Sequence, residues 1–265
     1  MDELLNMYKD NGYDEKKLFI SRESGFIEYD LLKKIFFPKQ WNVDTEKYRE
    51  YIRQLREILN KGLEYDDKKE FLEIIMKKLP EIKKQLNNDV IAAYNGDPAA
   101  SSYTEIIRNY PSMTAMIVQR TAHQLYIIGA KTYARELNEQ AHKLTSIDIH
   151  PGADIGNYFF IDHGSGVVIG ETTIIGDHVR LYQNVTLGVL HFQKGNDMLK
   201  KGYKRHPTIK DNVVIGAGAK ILGPITIGSN VNIGANSWIT ENIPDNTSVY
   251  IAEHPKLVKK TNGKH

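Results

Sequence analysis

The chain has 265 residues, 41% hydrophobic and 26% charged, a globular balance that excludes a wholly disordered protein. Lys and Arg number 35 against 33 Asp and Glu, so no basic field invites nucleic acid or an anionic membrane. Cys is absent, which excludes disulfide scaffolds, zinc ribbons and cysteine nucleophiles, and MDELLNMYKD carries no basic stretch leading into an apolar run. With no apolar segment near the roughly 20 residues of a membrane helix, the expectation is a soluble, cytoplasmic protein.

Residues 1–44 read as short helices and turns, and residues 1–145 as a helical domain. In TEKYREYIRQLREILNKGL, Tyr48, Ile52, Leu55, Ile58 and Leu59 recur at steps of three and four, one face of an amphipathic helix. Phe71, Ile74, Ile75 and Leu79 repeat the pattern, and Pro80 predicts a kink or break. NNDVIAAYNGDPAASS reads as a separator with a turn at Asn95-Gly96-Asp97-Pro98. A third helical segment spans about 112–144, with Met116, Ile117, Tyr126, Ile127 and Ile128 as its apolar middle.

Residues 146–250 follow a different period. Fourteen of the twenty Gly lie between Gly152 and Gly234, marking a change of material. Ile209, Ile215, Ile221, Ile227, Ile233 and Ile239 stand six residues apart. Ile149, Ile155 and Ile161 keep that step, and after a two-residue slip Ile169, Ile175, Leu181 and Leu187 resume it. Neither a helix nor a strand alternation has a period of six; a hexapeptide repeat does. The reading is a solenoid of short parallel strands whose aliphatic side chains stack into one apolar column. Four places after the aliphatic residue stands a small or β-branched one (Ala153, Ser165, Thr173, Val179), with Phe159 a large exception. The Gly that often follows the aliphatic residue is expected to supply positive φ at the turns. The period breaks at 188–206, read as a loop thrown out of one coil, and 251–265 is a tail. The fold class is therefore α+β, a helical N-terminal domain followed by a parallel β-helix.

Ser146-Ile-Asp-Ile-His-Pro-Gly-Ala-Asp-Ile-Gly, Ile161-Asp-His-Gly-Ser-Gly-Val-Val-Ile-Gly-Glu-Thr, Arg205-His-Pro-Thr-Ile and Ile215-Gly-Ala-Gly-Ala-Lys-Ile-Leu-Gly carry a resemblance. Over about 146–240, and at Gly96-Asp-Pro-Ala, the chain resembles the hexapeptide-repeat serine O-acetyltransferases. The resemblance implies a left-handed β-helix and transfer of acetyl from acetyl-CoA to the L-serine hydroxyl, the first step of cysteine biosynthesis. It implies no permanently bound cofactor and no metal, acetyl-CoA being a co-substrate. His163 suits a general base, because imidazole titrates near neutral pH, and the resemblance gives Asp148 the part of orienting it. With no Cys nucleophile, direct attack is favoured over an acyl-enzyme.

Asp97 and Asp162 are candidates for the serine ammonium and Arg205 for its carboxylate; His206 completes the pocket as a donor to the carboxylate or the developing oxyanion. Gly216, Ala217, Ala219, Gly234 and Ala235 are candidates to line the CoA groove, with Lys220 and Lys256 for its phosphates. The resemblance further implies feedback inhibition by L-cysteine and homotrimers, often paired into hexamers. The chain departs from the family at Gly188-Val-Leu-His, where a Gly-Gly-Thr segment is common, and at its end. The basic tail to His265 lacks a terminal Ile, so a tight C-terminal complex with O-acetylserine sulfhydrylase is not expected. Two enzyme alternatives are acetylation of a sugar or antibiotic hydroxyl, and a three-His γ-type carbonic anhydrase. A third is a catalytically dead scaffold, against which His163 and His206 weigh.

Overall fold

The computed structural model describes residues 24–193 and 199–252. Among the described residues six α-helices precede the solenoid: α1 (Ser24–Phe36), α2 (Thr45–Tyr65), α3 (Leu72–Gly96), α4 (Tyr103–Asn109), α5 (Pro111–Ile127) and α6 (Lys131–Thr145). Asp44 caps α2 by accepting the Lys47 N–H at 2.8 Å, and Leu55, Leu59 and Leu63 are its buried stripe. Helix α3 runs through Pro80 without ending and takes up NNDVIAAY, so no separator stands there. Its buried residues Ile75, Leu79, Ile82, Leu86, Val90 and Ala93 stay in phase on both sides of the proline, and tertiary packing outweighs the lost hydrogen bond. The third segment is two helices. Gly129, at φ +93°, breaks the chain between α5 and α6, and Ile127 is exposed rather than buried. None of the helices among the described residues is long and apolar enough to cross a membrane.

Fourteen short strands follow, β1 (Asp148–Ile149) to β14 (Ser248–Val249), all parallel, in three sheets. The first sheet is β1-β4-β7-β10-β13, the second β2-β5-β8-β11, the third β3-β6-β9-β12-β14. Each of the first four coils thus contributes one strand per sheet, and the last adds β13 and β14, the triangular section of a left-handed β-helix. Ile149, Ile169, Leu187, Ile221 and Ile239 form the inward column of the first sheet and are all buried.

Two details differ from the sequence expectation. Ser165 is exposed, and Val167 takes the inward corner position, because the two-residue slip lengthens that corner. The Gly after the aliphatic residue does not supply positive φ. That conformation falls two residues later, on His178, Asn184, Asn212, Asn230 and Asn236. The glycine serves close stacking instead: a Cβ on Gly216 would lie 2.6 Å from the Ala235 nitrogen of the next coil.

Each coil donates its N–H groups to carbonyls of the following coil, as Asp148 does to Val167 at 2.9 Å. The first coil therefore presents carbonyls with no strand partner, a solenoid end that must be covered. The helices cover it with side-chain donors. Asn138 reaches Ile149 O at 2.6 Å, Gln119 reaches Ala153 O at 3.2 Å, and Arg120 reaches Ile155 O at 3.2 Å and Gly156 O at 2.8 Å. Arg120 also grips the buried Asp89 of α3 through Nε at 2.6 Å and Nη2 at 2.7 Å. The same carboxylate accepts the Phe159 N–H at 3.1 Å.

Replacing Arg120 by Met strands the Asp89 charge, and the expected loss is about 3–5 kcal/mol in urea unfolding. Adding Asp89→Leu to Arg120→Met should recover part of that loss. A loss below about 1 kcal/mol for the single variant would contradict the role given to the pair.

Candidate active site

The predicted site residues fall into two groups, on two different edges of the solenoid. The first group lies where the third sheet turns into the first, between β3 (Phe160–Ile161) and β4 (Val168–Ile169). The lengthened corner throws His163 outward in a left-handed conformation at φ 59°, its side chain 71% exposed. Gly164 and Gly166, at φ 90° and 74°, make that corner possible. The partly buried Asp162 stands beside it, Oδ1 to His163 Nδ1 at 3.8 Å.

Asp97, at the C-terminal end of α3, comes to the same place. It accepts the Tyr110 hydroxyl at 2.5 Å and the Ala99 N–H at 2.8 Å. Those bonds, the Tyr110 one first, hold its carboxyl below the usual carboxylate range, and the charges of His163 and Arg180 add to this. Asp97 and Asp162 are thus two carboxylates beside an open imidazole, a setting that suits an ammonium. Arg180 on β6 (Arg180–Leu181) packs against Gly96, where a Cβ would meet its guanidinium.

The second group lies where the first sheet turns into the second, between β4 and β5 (Ile174–Ile175) and at the base of the loop before β8 (Thr208–Ile209). His206 is buried here. Its Nδ1 accepts the Thr172 N–H at 3.1 Å and lies 2.9 Å from the Thr172 hydroxyl. That hydroxyl accepts N–H bonds from Arg205 at 3.0 Å and His206 at 3.1 Å, so its single proton goes to Nδ1. The ring proton is thereby assigned to Nε2. Burial first, then the Arg205 guanidinium, push the His206 pKa down to about 4. His206 is a neutral donor at physiological pH, the right form for a carboxylate or an oxyanion and the wrong one for a base. Arg205 beside it is ion-paired with Glu171.

Asp148 opens β1, in register with Val168, and makes no hydrogen bond or ion pair with His163 within the chain. Its ligand oxygen lies within 4.8 Å of groups on Glu139 and His142 of α6, and its charge acts on His150 alongside those of Glu171 and Arg205. The three histidines of the carbonic anhydrase reading do not converge either. His150 and His163 stand at the two corners just described, and His178 stacks on Tyr158 at the third, ring centroids 4.3 Å apart.

The groove candidates follow the edge of His163. Backbone bonds from Asn184 to Ser165 (2.9 Å), Gly218 to Gln183 (2.9 Å) and Asn236 to Ala217 (2.8 Å) step down that edge coil by coil. Ala217 and Ala235 offer surface on it, and Lys220 begins the adjoining strand, its Nζ donating to Asn184 O at 2.5 Å. Ala219 is fully buried and points into the solenoid, so it belongs to the core and not to a groove. Gly216 and Gly234 pack against the coil that follows. Lys256 and the tail beyond residue 252 lie outside the described residues. Tyr110 and Arg180 were not singled out from sequence, Tyr126 was read only as part of an apolar helix middle, and Glu171 and Thr172 stood in the motif Gly170-Glu-Thr without a role of their own.

A parallel three-sheet solenoid with an extruded loop, an open histidine at one corner and a neutral donor histidine at another defines a hexapeptide-repeat acyltransferase. The family described as bacterial transferase hexapeptide (six repeats) matches residues 206–241. Over 167 residues the chain is 56% identical to a plasmid serine acetyltransferase of Synechococcus elongatus, covering 63% of this chain and 52% of that protein, about half its length. It is 48% identical over 166 residues to a serine acetyltransferase of Staphylococcus epidermidis, covering 63% of this chain and 74% of that one. The crystal structure of Entamoeba histolytica serine acetyltransferase isoform 3 in complex with cysteine matches 98% of this chain and 94% of its own, at 45% identity and a TM-score of 0.82. The chain belongs to the serine acetyltransferase family.

The His206 environment has a consequence for stability. The unfolded chain takes up a proton near pH 6.5, the folded one only near 4, so stability present above 6.5 is lost as the pH falls toward 4. The urea midpoint should fall across that interval, and His206→Gln should flatten part of the fall. An unchanged slope in the variant would show that His206 is not buried neutral.

Proposed function

We propose that acetyl transfer from acetyl-CoA to L-serine takes place at a site assembled between two copies of the chain. The separation of the two groups supports this. His163, Asp97 and Asp162 stand at one end of the first sheet; Arg205 and His206 stand at the other. In a closed three-fold ring with that sheet facing inward, one end of each copy meets the opposite end of the next, a head-to-tail contact that closes. Val168 and Trp238 are exposed on that sheet, as an inward face of a ring would require. Asp148 of one copy then becomes available to the His163 of its neighbour.

In this reading Asp97 and Asp162 receive the serine ammonium, and Arg205 and His206 of the adjoining copy receive the carboxylate. His163 takes the hydroxyl proton as the serine oxygen attacks the thioester carbon. The tetrahedral oxyanion collapses, the carbon–sulfur bond breaks, and the proton held on His163 passes to the departing thiolate. His206 Nε2–H is the available neutral donor for the developing charge. Acetyl-CoA lies along the His163 edge over Ala217 and Ala235, with Lys220 near its phosphates.

His163→Ala should lower kcat at least ~10²-fold in a thiol-release assay, with a folded trimer retained. Turnover near the parent's would remove His163 from the mechanism.

L-Cysteine differs from L-serine by sulfur for oxygen, so the same carboxylates, Arg205 and His206 should hold it. The cysteine complex of the Entamoeba histolytica enzyme supports feedback by this amino acid. Cysteine should raise the apparent KM for serine and leave the kcat at saturating serine unchanged. Inhibition indifferent to serine concentration would place the effect elsewhere.

A further inference from the structure

We infer that Tyr126 and Glu171 are positioning residues that aim the Arg205 guanidinium at the amino-acid carboxylate, so that the helical half of the chain sets part of the substrate specificity. The inference rests on Arg205 taking the serine carboxylate and adds to it the device that holds the arginine.

Arginine at a binding edge has many rotamers, and its fork is useful only when one of them is fixed. Here four contacts fix it. The Arg205 backbone N–H is held by the Thr172 hydroxyl at 3.0 Å. One terminal nitrogen, Nη2, is ion-paired with Glu171. The other, Nη1, donates to the Tyr203 carbonyl at 3.5 Å, and the guanidinium lies over the Tyr203 ring, 5.8 Å from its centre.

Glu171 is held in turn. Its second oxygen accepts the Tyr126 hydroxyl at 2.7 Å. Tyr126 sits in the last turn of α5, the helix that also supplies Gln119 and Arg120 to the first coil. Its ring is wedged between the Lys131 ammonium, 5.1 Å from its centre, and His150, edge-on at 5.5 Å. The chain of contacts therefore runs from a helix anchored on the solenoid, through a phenol and a carboxylate, to the arginine. A carboxylate beside Arg205 with a free second oxygen would compete with substrate. With both oxygens engaged it acts as a fixed strut and leaves the rest of the fork open.

Both protonation states suit the task. Burial, then the bond to Glu171, raise the Tyr126 pKa to about 12, so the phenol stays a donor. The bonds from Tyr126 and Arg205 outweigh burial and hold Glu171 below its usual range, so it stays ionised.

The test compares L-serine with L-serinamide, which keeps the hydroxyl and ammonium but lacks the carboxylate. In the full-length protein, Glu171→Ala should raise KM for L-serine about tenfold or more, the scale of a lost charged hydrogen bond, and Tyr126→Phe a few-fold. The loss should appear in KM for serine rather than in kcat, with KM for acetyl-CoA unmoved and serinamide turnover little affected. Glu171→Gln, which keeps an acceptor oxygen, should recover part of the loss. Equal losses for serine and serinamide, or no loss for either, would overturn the inference. Arg205→Ala separates it from the reading beneath. If Arg205→Ala abolishes the preference for serine over serinamide while Glu171→Ala keeps it, the positioning role alone falls. If Arg205→Ala keeps the preference, both fall.

Discussion

The arrangement depends on one buried ion pair. Asp89 and Arg120 belong to two different helices and meet over the first coil of the solenoid, where the arginine also closes the carbonyls of Ile155 and Gly156. A charge pair in such a place is worth little for stability in itself, but breaking it is costly, so it fixes geometry. Asp89 precedes Asp97 by two turns of α3, about 12 Å of rigid helix. Docking Asp89 on the solenoid therefore determines where Asp97 arrives, which is beside His163. The neighbouring donors Asn138 and Gln119 do the same for α5 and α6, and through Tyr126 they reach the opposite edge of the same sheet. The helical half is thus both the cover of an open solenoid end and the frame for each half of the site.

The two histidines that matter are made different by their surroundings. His163 is carried out of a lengthened corner into the open, with carboxylates nearby. His206 is buried beside an arginine, and one threonine fixes its tautomer. A base and a neutral donor are the two forms that ester-forming attack on a thioester needs. The fold holds them on separate edges, and the proposed ring of identical copies would bring such edges together. The long loop leaves the second of these edges, at the corner that carries His206.

The solenoid was legible in the sequence because its period is unlike that of any helix or strand, and because each coil repeats the same burial requirement. The helices were legible as amphipathic stripes, but their ends were not. Pro80 reads as a break in one dimension, and only the continuous buried face on both sides of it keeps α3 whole. Gly129 carried the true break and gave a single, weak signal. Glycine was assigned to the wrong task at the turns, since whether a Cβ meets the next coil cannot be seen along one strand. His163, His206 and Arg205 stood in motifs. Tyr110 had no pattern to announce it and Tyr126 read only as apolar helix, because the partners of their hydroxyls lie 13 and 45 residues away. The pairing of Asp148 with His163, natural within the motif, is not made within one chain, where His163 faces Asp162 instead.

Subunit complementation tests the divided site most directly. His163→Ala and Arg205→Ala chains, each inactive or nearly so alone, are mixed, unfolded and refolded together. A site built between copies predicts recovery to about a quarter of the parent activity, because a quarter of randomly formed contacts pair an intact His163 edge with an intact Arg205 edge. Separate refolding followed by mixing should give none. If co-refolded chains form mixed trimers and still show no recovery, the two groups act within a single chain and the account is wrong.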